Sequence, residues 1–309
     1  MLSGGGTITN NAAGTTADIG VFGSFPGSFK DGAGTVSLTA SLFGVLTLSG
    51  TNTYSGTTTI YTDLIGGAPY AFSAASAVIV NGGTLDLGGF HQTIGSLSGS
   101  GTVTNSGAVA AILTTNGDNS STTFSGLIED GTGGIALVKD GTGTLTLSTA
   151  NTYSLGTTIN AGVLVADNGG ALGASFVKFA GDSTLRLGFN GTLVNDIDVA
   201  AGVSPTIADG ANDVTLAGQM AYLGGAGTTL HFGKAGDTGV FTLSPSLFLS
   251  DPNGKWSLDG GNLVIGNGNA AGLLGGLSAA NLAARTILDL SGNAFELVSP
   301  TGSGEVRNY

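Results

Sequence analysis

The chain has no cysteine, six prolines, one tryptophan and eight basic residues among 309. Without cysteine, disulfide staples and thiolate metal sites are excluded. The basic residues are scattered singly from Lys30 to Arg307 and face 20 Asp and Glu, for a net charge of −12. Neutralising phosphates requires clustered Lys and Arg, so nucleic acid is not an expected partner and anionic membrane surfaces are disfavoured. No apolar run approaches the ~18 residues that a membrane-spanning helix requires. Met1-Leu-Ser-Gly-Gly-Gly has neither the basic start nor the apolar stretch of a secretion signal. If the protein is exported, the chain is expected to be an excerpt of a longer one. Helical periodicity is confined to 277–285, where Leu277, Leu282 and four alanines predict two helical turns.

What is present in excess is glycine: 57 residues, against about 22 at average usage. There is no strict Gly-X-Y period, which excludes collagen. Disorder is excluded by the apolar content of 41%, a mean hydropathy of +0.34 and only 9% charged residues, because an open chain needs little apolar surface and much charge. Short alternating runs recur along the chain: Val36-Ser-Leu, Leu46-Thr-Leu, Val78-Ile-Val, Leu85-Asp-Leu, Thr122-Thr-Phe, Leu145-Thr-Leu, Val163-Leu-Val, Leu185-Arg-Leu, Val214-Thr-Leu, Leu230-His-Phe, Val240-Phe-Thr-Leu and Leu263-Val-Ile. Each is bounded by Gly, Asn, Asp or Ser. Period-2 runs between turn formers read as short strands.

The runs themselves repeat. Leu46 to Ile60 aligns without gaps on Leu145 to Ile159, an offset of 99, and Thr84-Leu-Asp-Leu aligns on Thr184-Leu-Arg-Leu and Ile287-Leu-Asp-Leu. About three imperfect copies of a unit near 100 residues are expected, within residues 45–309. Residues 1–44 match least and are expected to be irregular or to form the first coils, with the Phe22, Phe25, Phe29 cluster among them. A sandwich or barrel need not resemble itself at fixed offsets, whereas a solenoid must, because each coil stacks on a near copy. Coils of roughly 22 residues fit the usual range. Inward Leu, Val and Ile would form apolar columns, with Thr, Ser and Asn outward. The stretch 243–256, with Pro245, Asp251-Pro-Asn-Gly254 and the lone Trp256, reads as a longer loop.

Gly143-Thr-Leu-Thr-Leu-Ser-Thr-Ala-Asn-Thr-Tyr-Ser-Leu-Gly-Thr-Thr-Ile-Asn-Ala-Gly162 and Gly44-Val-Leu-Thr-Leu-Ser-Gly-Thr-Asn-Thr-Tyr-Ser-Gly-Thr57 resemble the autotransporter passenger-associated repeat. Asn81 to Phe90 and Phe124 to Gly131 look like its usual companions. The likeness is strong over about 44–190. It implies an all-β fold, a single-stranded right-handed parallel β-helix displayed outside a Gram-negative cell. It also implies an outer-membrane translocator barrel as partner, which is not in this chain. The expected role is a structural or adhesive surface stalk that assists export, with host-surface or self-association through its faces. The alternative is a polysaccharide-binding or polysaccharide-degrading β-helix.

Several patterns suggest chemistry, and each has a simpler reading. Gly266-x-Gly268-x-x-Ala271, with Asp289 downstream, matches a dinucleotide fingerprint, but the next strand belongs to the β repeat rather than to an α/β sheet. Gly181-Asp-Ser183 is similar to the surroundings of some serine nucleophiles; a turn serine is simpler, and His91 and His231 are far away in sequence. Gly233-Lys234 lacks the other positions of a phosphate loop. Asp196 with Asp198, Asp209 with Asp213, and Glu129, Asp130 and Asp140 around Lys139 are the carboxylate groups that hydrolysis or calcium would need. Tyr54 and Tyr153 occupy equivalent repeat positions, where packing explains them. No residue is assigned a catalytic, cofactor-binding or metal role, and no cofactor is expected.

Overall fold

Alternation of apolar and polar side chains buries one face of a strand, and short glycine-bounded strands turn before a hairpin can form. Such strands can satisfy their main chains by pairing with the same segment of the next coil. The computed structural model shows this arrangement: all-β, with parallel strands stacked as a β-solenoid and no helix among the described residues. Described are residues 4–41, 44–223, 228–244, 255–266, 280–289 and 301–307. They fall in two compact units, Met1–Thr157 and Thr158–Tyr309.

In the first unit a front sheet carries Thr16–Val21, Thr35–Ala40, Thr58–Ile60, Ala77–Val80, Ser96–Gly99, Thr122–Phe124 and Thr144–Leu147, each beside the next. A second, 6-stranded sheet runs through Gly23–Phe25, Leu46–Leu48, Asp63–Gly66, Thr84–Asp86, Thr102–Thr104 and Leu127–Ile128. The third face holds Gln92–Thr93, Ala111–Thr115 and Ile135–Lys139. Leu46, Leu64, Leu85, Val103 and Ile128 stand in one register column of the second sheet, all buried. Each buried aliphatic side chain contributes about 1.5–3 kcal/mol. The front-sheet column Ala40, Ile60, Val80, Gly99, Phe124, Leu147 shows size compensation. Gly99, with no side chain, sits directly opposite the bulky Phe124.

Coil length varies with what the corners hold. The coil that carries Leu85 onto its partner Val103 is short, whereas the one that carries Ala111 onto Ile135 is a longer path through an extra turn at Asn116 to Ser121. Near the start, Thr7–Asn10 pairs in parallel with Ser28–Asp31, and Phe25 and Phe29 are buried with ring centroids 4.9 Å apart.

In the second unit Gly162–Ala166, Ser183–Leu187, Thr206–Ala208, Thr229–Phe232, Lys255–Leu258, Ala280–Leu282 and Thr301–Gly302 follow one another in one sheet. Their core column is Leu164, Leu185, Ile207, Phe232, Leu258 and Leu282. A 6-stranded sheet runs from Gly191–Leu193 through Asp213–Leu216, Val240–Leu243, Asn262–Ile265 and Ile287–Asp289 to Glu305–Arg307.

Two expectations are corrected. The helical turns over 277–285 do not form in the described part: Ala280–Leu282 is a strand beside Lys255–Leu258, and a turn follows with Arg285 at φ 69°. The sheet edge overrides alanine's helical preference, as tertiary context often does; positions 277–279 lie outside the described residues. The stretch 243–256 is not all loop. Trp256 lies in strand Lys255–Leu258, 3% exposed and paired with Leu230, while 245–254 lie outside the described residues.

Candidate functional site

The repeat motif is built around a corner. Leu46–Leu48 ends on the second sheet, Thr58–Ile60 begins on the front sheet, and Asn52 and Tyr54 turn inward between them. The expectation that asparagines face solvent is therefore overturned here. At a corner the ladder is interrupted and main-chain groups are left over. A carboxamide both donates and accepts, so it can serve them from inside. Asn52 Oδ1 accepts from Phe29 N–H at 2.6 Å, and its Nδ2 donates to Gly50 O at 3.1 Å and Ala71 O at 2.6 Å, joining three coils. Asn151 Oδ1 accepts from Ile128 N–H at 2.8 Å in the same way, and Asn105 and Asn195 are further buried examples. Tyr54 Oη meets Thr58 Oγ1 at 2.6 Å, and Tyr153 Oη meets Thr157 Oγ1 at 2.5 Å. Burial pushes the Tyr54 phenol up to about 12 and raises that of Tyr153 as well. Tyr54 packs edge-on against Phe29, 6.1 Å between centroids. These tyrosines are packing elements, closed to ligands.

Several aspartates, Asp130 and Asp196 of the candidate groups among them, are staples between coils. Asp31 accepts from Val36 N–H and Ser55 N–H, Asp130 from Ile135 N–H and Ser154 N–H, Asp182 from Ser204 N–H, and Asp196 from Gln219 N–H. Each carboxylate answers a corner N–H about one coil later. At Asp31 these bonds outweigh desolvation and hold the acid below its ordinary value. Asp198 pairs with Lys178 at 3.5 Å, half-exposed on both sides. Lys139 does not sit on an acidic surface patch. It is fully buried, and its Nζ donates to Asp140 O at 2.6 Å and Gly141 O at 2.9 Å. Desolvation lowers its amine to about 8, against the pull of Asp140 and Asp118.

Ser183 opens a strand rather than facing a base; it is buried, and its Oγ donates to Gly181 O at 3.0 Å. His231 stands two strands along from Thr184 through Thr206, on the order of 10 Å at ~4.8 Å per strand. Its real neighbours are Ser257, paired with it in register, and Asp259. His231 Nδ1 lies 2.6 Å from Asp259 Oδ2, and Ser257 Oγ donates to Asp259 Oδ1. Sequence reading missed this trio because its members are one coil apart. Aligning Leu230-His-Phe on Trp256-Ser-Leu, two runs of like alternation, is the signal that would have found Ser257. The order is wrong for acyl transfer, since the serine donates to the carboxylate and not to the imidazole. His91 Nδ1 accepts from Ile112 N–H at 3.0 Å.

The dinucleotide pattern does not meet its structural condition. Asn262–Ile265 and Ile287–Asp289 are adjacent parallel strands of one sheet, with strand Ala280–Leu282 between them in sequence. Positions 268 and 271 lie outside the described residues. Lys234 is exposed in a turn, its N–H bonded to Asp237 Oδ2 at 2.9 Å.

The remaining candidate lies at a corner of the second unit. A surface depression of about 630 Å³ is lined by Asp237, Asp259, Gly261, Asn262 and Arg285, among others. Beside Gly261 lies Asp209, fully buried, with neither carboxylate oxygen in a hydrogen bond. Desolvation, helped by the facing Asp237 carboxyl and by Asp213, pushes it up to about 7. Among the described residues no three His, Asp or Glu gather in metal-ligating reach.

Comparison with known proteins agrees with the corner motif. Residues 44–62 and 137–166 match the passenger-associated-transport-repeat family. Over 212 residues, 67% of this chain, the sequence is 35% identical to the adhesin BmaC autotransporter of Brucella suis biovar 1 (strain 1330). The chain spans only 6% of that relative's length. No solved structure matches. Both matched segments span the Asn–Tyr corners that hold coil to coil, and the chain belongs to the passenger-repeat proteins of the autotransporters.

Proposed function

We propose that the chain is a segment of an exported passenger that forms a rigid stalk on the bacterial surface and presents adhesive faces, without catalysis. The observation that carries this reading is the use to which the polar side chains are put. Asn52, Asn151, Asp31, Asp130 and Asp196 join one coil to the next, and Tyr54 and Tyr153 brace their own corners through Thr58 and Thr157. Repeat positions spent on joints support a mechanical role. The match to an adhesin autotransporter supports surface display and an outer-membrane translocator as partner, and the same repeat supports a part in export. The domain reading that accompanies this role is one repeat region over 45–309, preceded by first coils in 1–44.

The test is to display residues 1–309 on a non-adherent bacterium through a heterologous barrel and to measure adherence and autoaggregation. A gain over the barrel alone supports adhesion by this segment. No gain, with display verified by surface labelling, overturns the adhesive part and leaves the stalk. One observation favours a second reading, a polysaccharide-binding or polysaccharide-degrading protein: the depression that brings Asp237, Asp259 and Arg285 to one corner. That reading predicts retention of the soluble protein on an acidic or neutral polysaccharide column, lost in Arg285→Ala.

A further inference from the structure

Asp209 is in a place where a lone carboxylate is not tolerated. It follows strand Thr206–Ala208 and opens the turn closed by Asn212 N–H on Asp209 O at 3.1 Å. Its side chain is fully buried, and both oxygens lack a hydrogen-bond partner. The charged groups acting on it are acids, Asp237 first and Asp213 next. Arg285 lines the outer depression, and Asp209 is not part of that lining.

The space around Asp209 is kept free of side chains by two glycines from later coils. A methyl group on Gly239 would lie 2.6 Å from Asp209 Oδ2 and 2.0 Å from Asn212 O. One on Gly261 would lie 2.8 Å from Gly239 O and 3.5 Å from both Asp209 oxygens. Carboxylate and main-chain oxygens therefore converge on one notch. Asn212 O accepts from Val240 N–H at 3.2 Å and Gly239 O from Asn262 N–H at 2.9 Å, and each retains a second lone pair. Asp237 is half-exposed and links the notch to solvent through the depression.

We propose that Asp209 and Asp237, with the main-chain oxygens of Asn212 and Gly239, form a cation site of the calcium class that locks this corner across successive coils. Calcium accepts six to eight oxygens from carboxylates, carbonyls and water in a flexible shell, so two carboxylates suffice when main chain and water complete it. Magnesium demands a tighter octahedron and is expected to bind more weakly. Because the buried acid carries a proton near neutrality, calcium must displace it.

The experiment uses the 1–309 chain stripped with chelator. Calcium binding is followed by isothermal calorimetry at pH 6.5 in two buffers of different ionisation enthalpy, and by thermal melts at about 1 mM calcium, within the range of extracellular sites. Expected are saturable binding with proton release, a higher Tm in calcium than in magnesium at equal ionic strength, and loss of both in Asp209→Asn. Asp237→Asn, at a half-exposed position, keeps the test open if the buried variant does not fold, and raises Kd at least tenfold. Asp196→Asn, outside the notch, leaves binding unchanged. Absence of binding in the wild type, or equal binding in Asp237→Asn, overturns the proposal. A proton on the Asp209 pair that calcium does not displace also overturns it.

Discussion

At the scale of single residues, the molecule turns on polar side chains placed inside. Asn52 serves main-chain groups of three coils. Asn52→Ala leaves a donor and two acceptors unpaired, and about 2–4 kcal/mol of stability should be lost. Urea unfolding should show this as a lower midpoint at unchanged slope. Asp209 has the opposite sign. Its folded pKa, about 7, stands above the ordinary 3.8, so the folded state holds the extra proton across that window. Stability falls as pH rises from about 4 to 7, and the penalty is present in full above 7. In calcium-free buffer, Asp209→Asn should melt a few degrees higher than wild type at pH 8, and the difference should shrink towards pH 5. The sequence marked Asn52 as part of the repeat motif and Asp209 as one carboxylate of a pair, but not that either faces the core. An Asn between two strands and an Asp before a Gly read as turn formers, and only burial separates a turn residue on the surface from one that faces the core.

At the scale of elements, the repeat encodes a strand–corner–strand unit rather than a fixed place on the coil. Leu46–Leu48 lies in the second sheet, and the corner after it stacks on Phe29 through Thr53 N–H. The equivalent Thr144–Leu147 lies in the front sheet, and its corner stacks on Ile128 through Thr152 N–H. The same motif thus turns two different corners of a three-faced coil, because its Asn and Tyr need only a preceding coil beneath them. Context then decides individual positions. Gly50 has Gly27 O where a Cβ would stand, at 1.9 Å. Its repeat equivalent, Thr149, is half-buried and donates to Ser125 O at 2.8 Å. Gly50→Ala should cost about 1–3 kcal/mol by overpacking against backbone. Thr149→Ala, which loses one exposed hydrogen bond, should cost well under half of that; paired thermal melts measure both. The alternating runs named from sequence all overlap strands. Asp63–Gly66 and Ile197–Val199 were not among them; in the first, adjacent Leu64 and Ile65 break the alternation.

At the scale of the whole molecule, a solenoid is held by neighbours, so a complete coil is the unit that can be removed. In the first unit Asp63 pairs with Thr84 one coil later. Deleting residues 63–83 should leave a folded β protein with a modestly lower Tm, since Leu46 can then receive Leu85 and Thr58–Ile60 can receive Ser96–Gly99. Deleting 63–72 breaks the phase and should give insoluble protein. Circular dichroism and soluble yield distinguish the two outcomes.

The sequence by itself determined the class of fold. Period-2 runs, glycine punctuation and self-similarity at fixed offsets leave a stacked solenoid as the economical solution, since every strand must find a near copy to pair with. It also determined the family, because the Asn–Tyr corner is written in contiguous residues. What only the tertiary structure decided is everything that joins residues one coil apart. Coil length is not constant: the step from Leu85 to Val103 is short, and the step from Thr229 to Lys255 is much longer. No constant offset therefore predicts that Ser257 lies beside His231, or that Asp237 reaches Asp209. The corner residues that vary this length also set which side chain is sealed in, and sealing a carboxylate from water is what turns an ordinary turn aspartate into a candidate site.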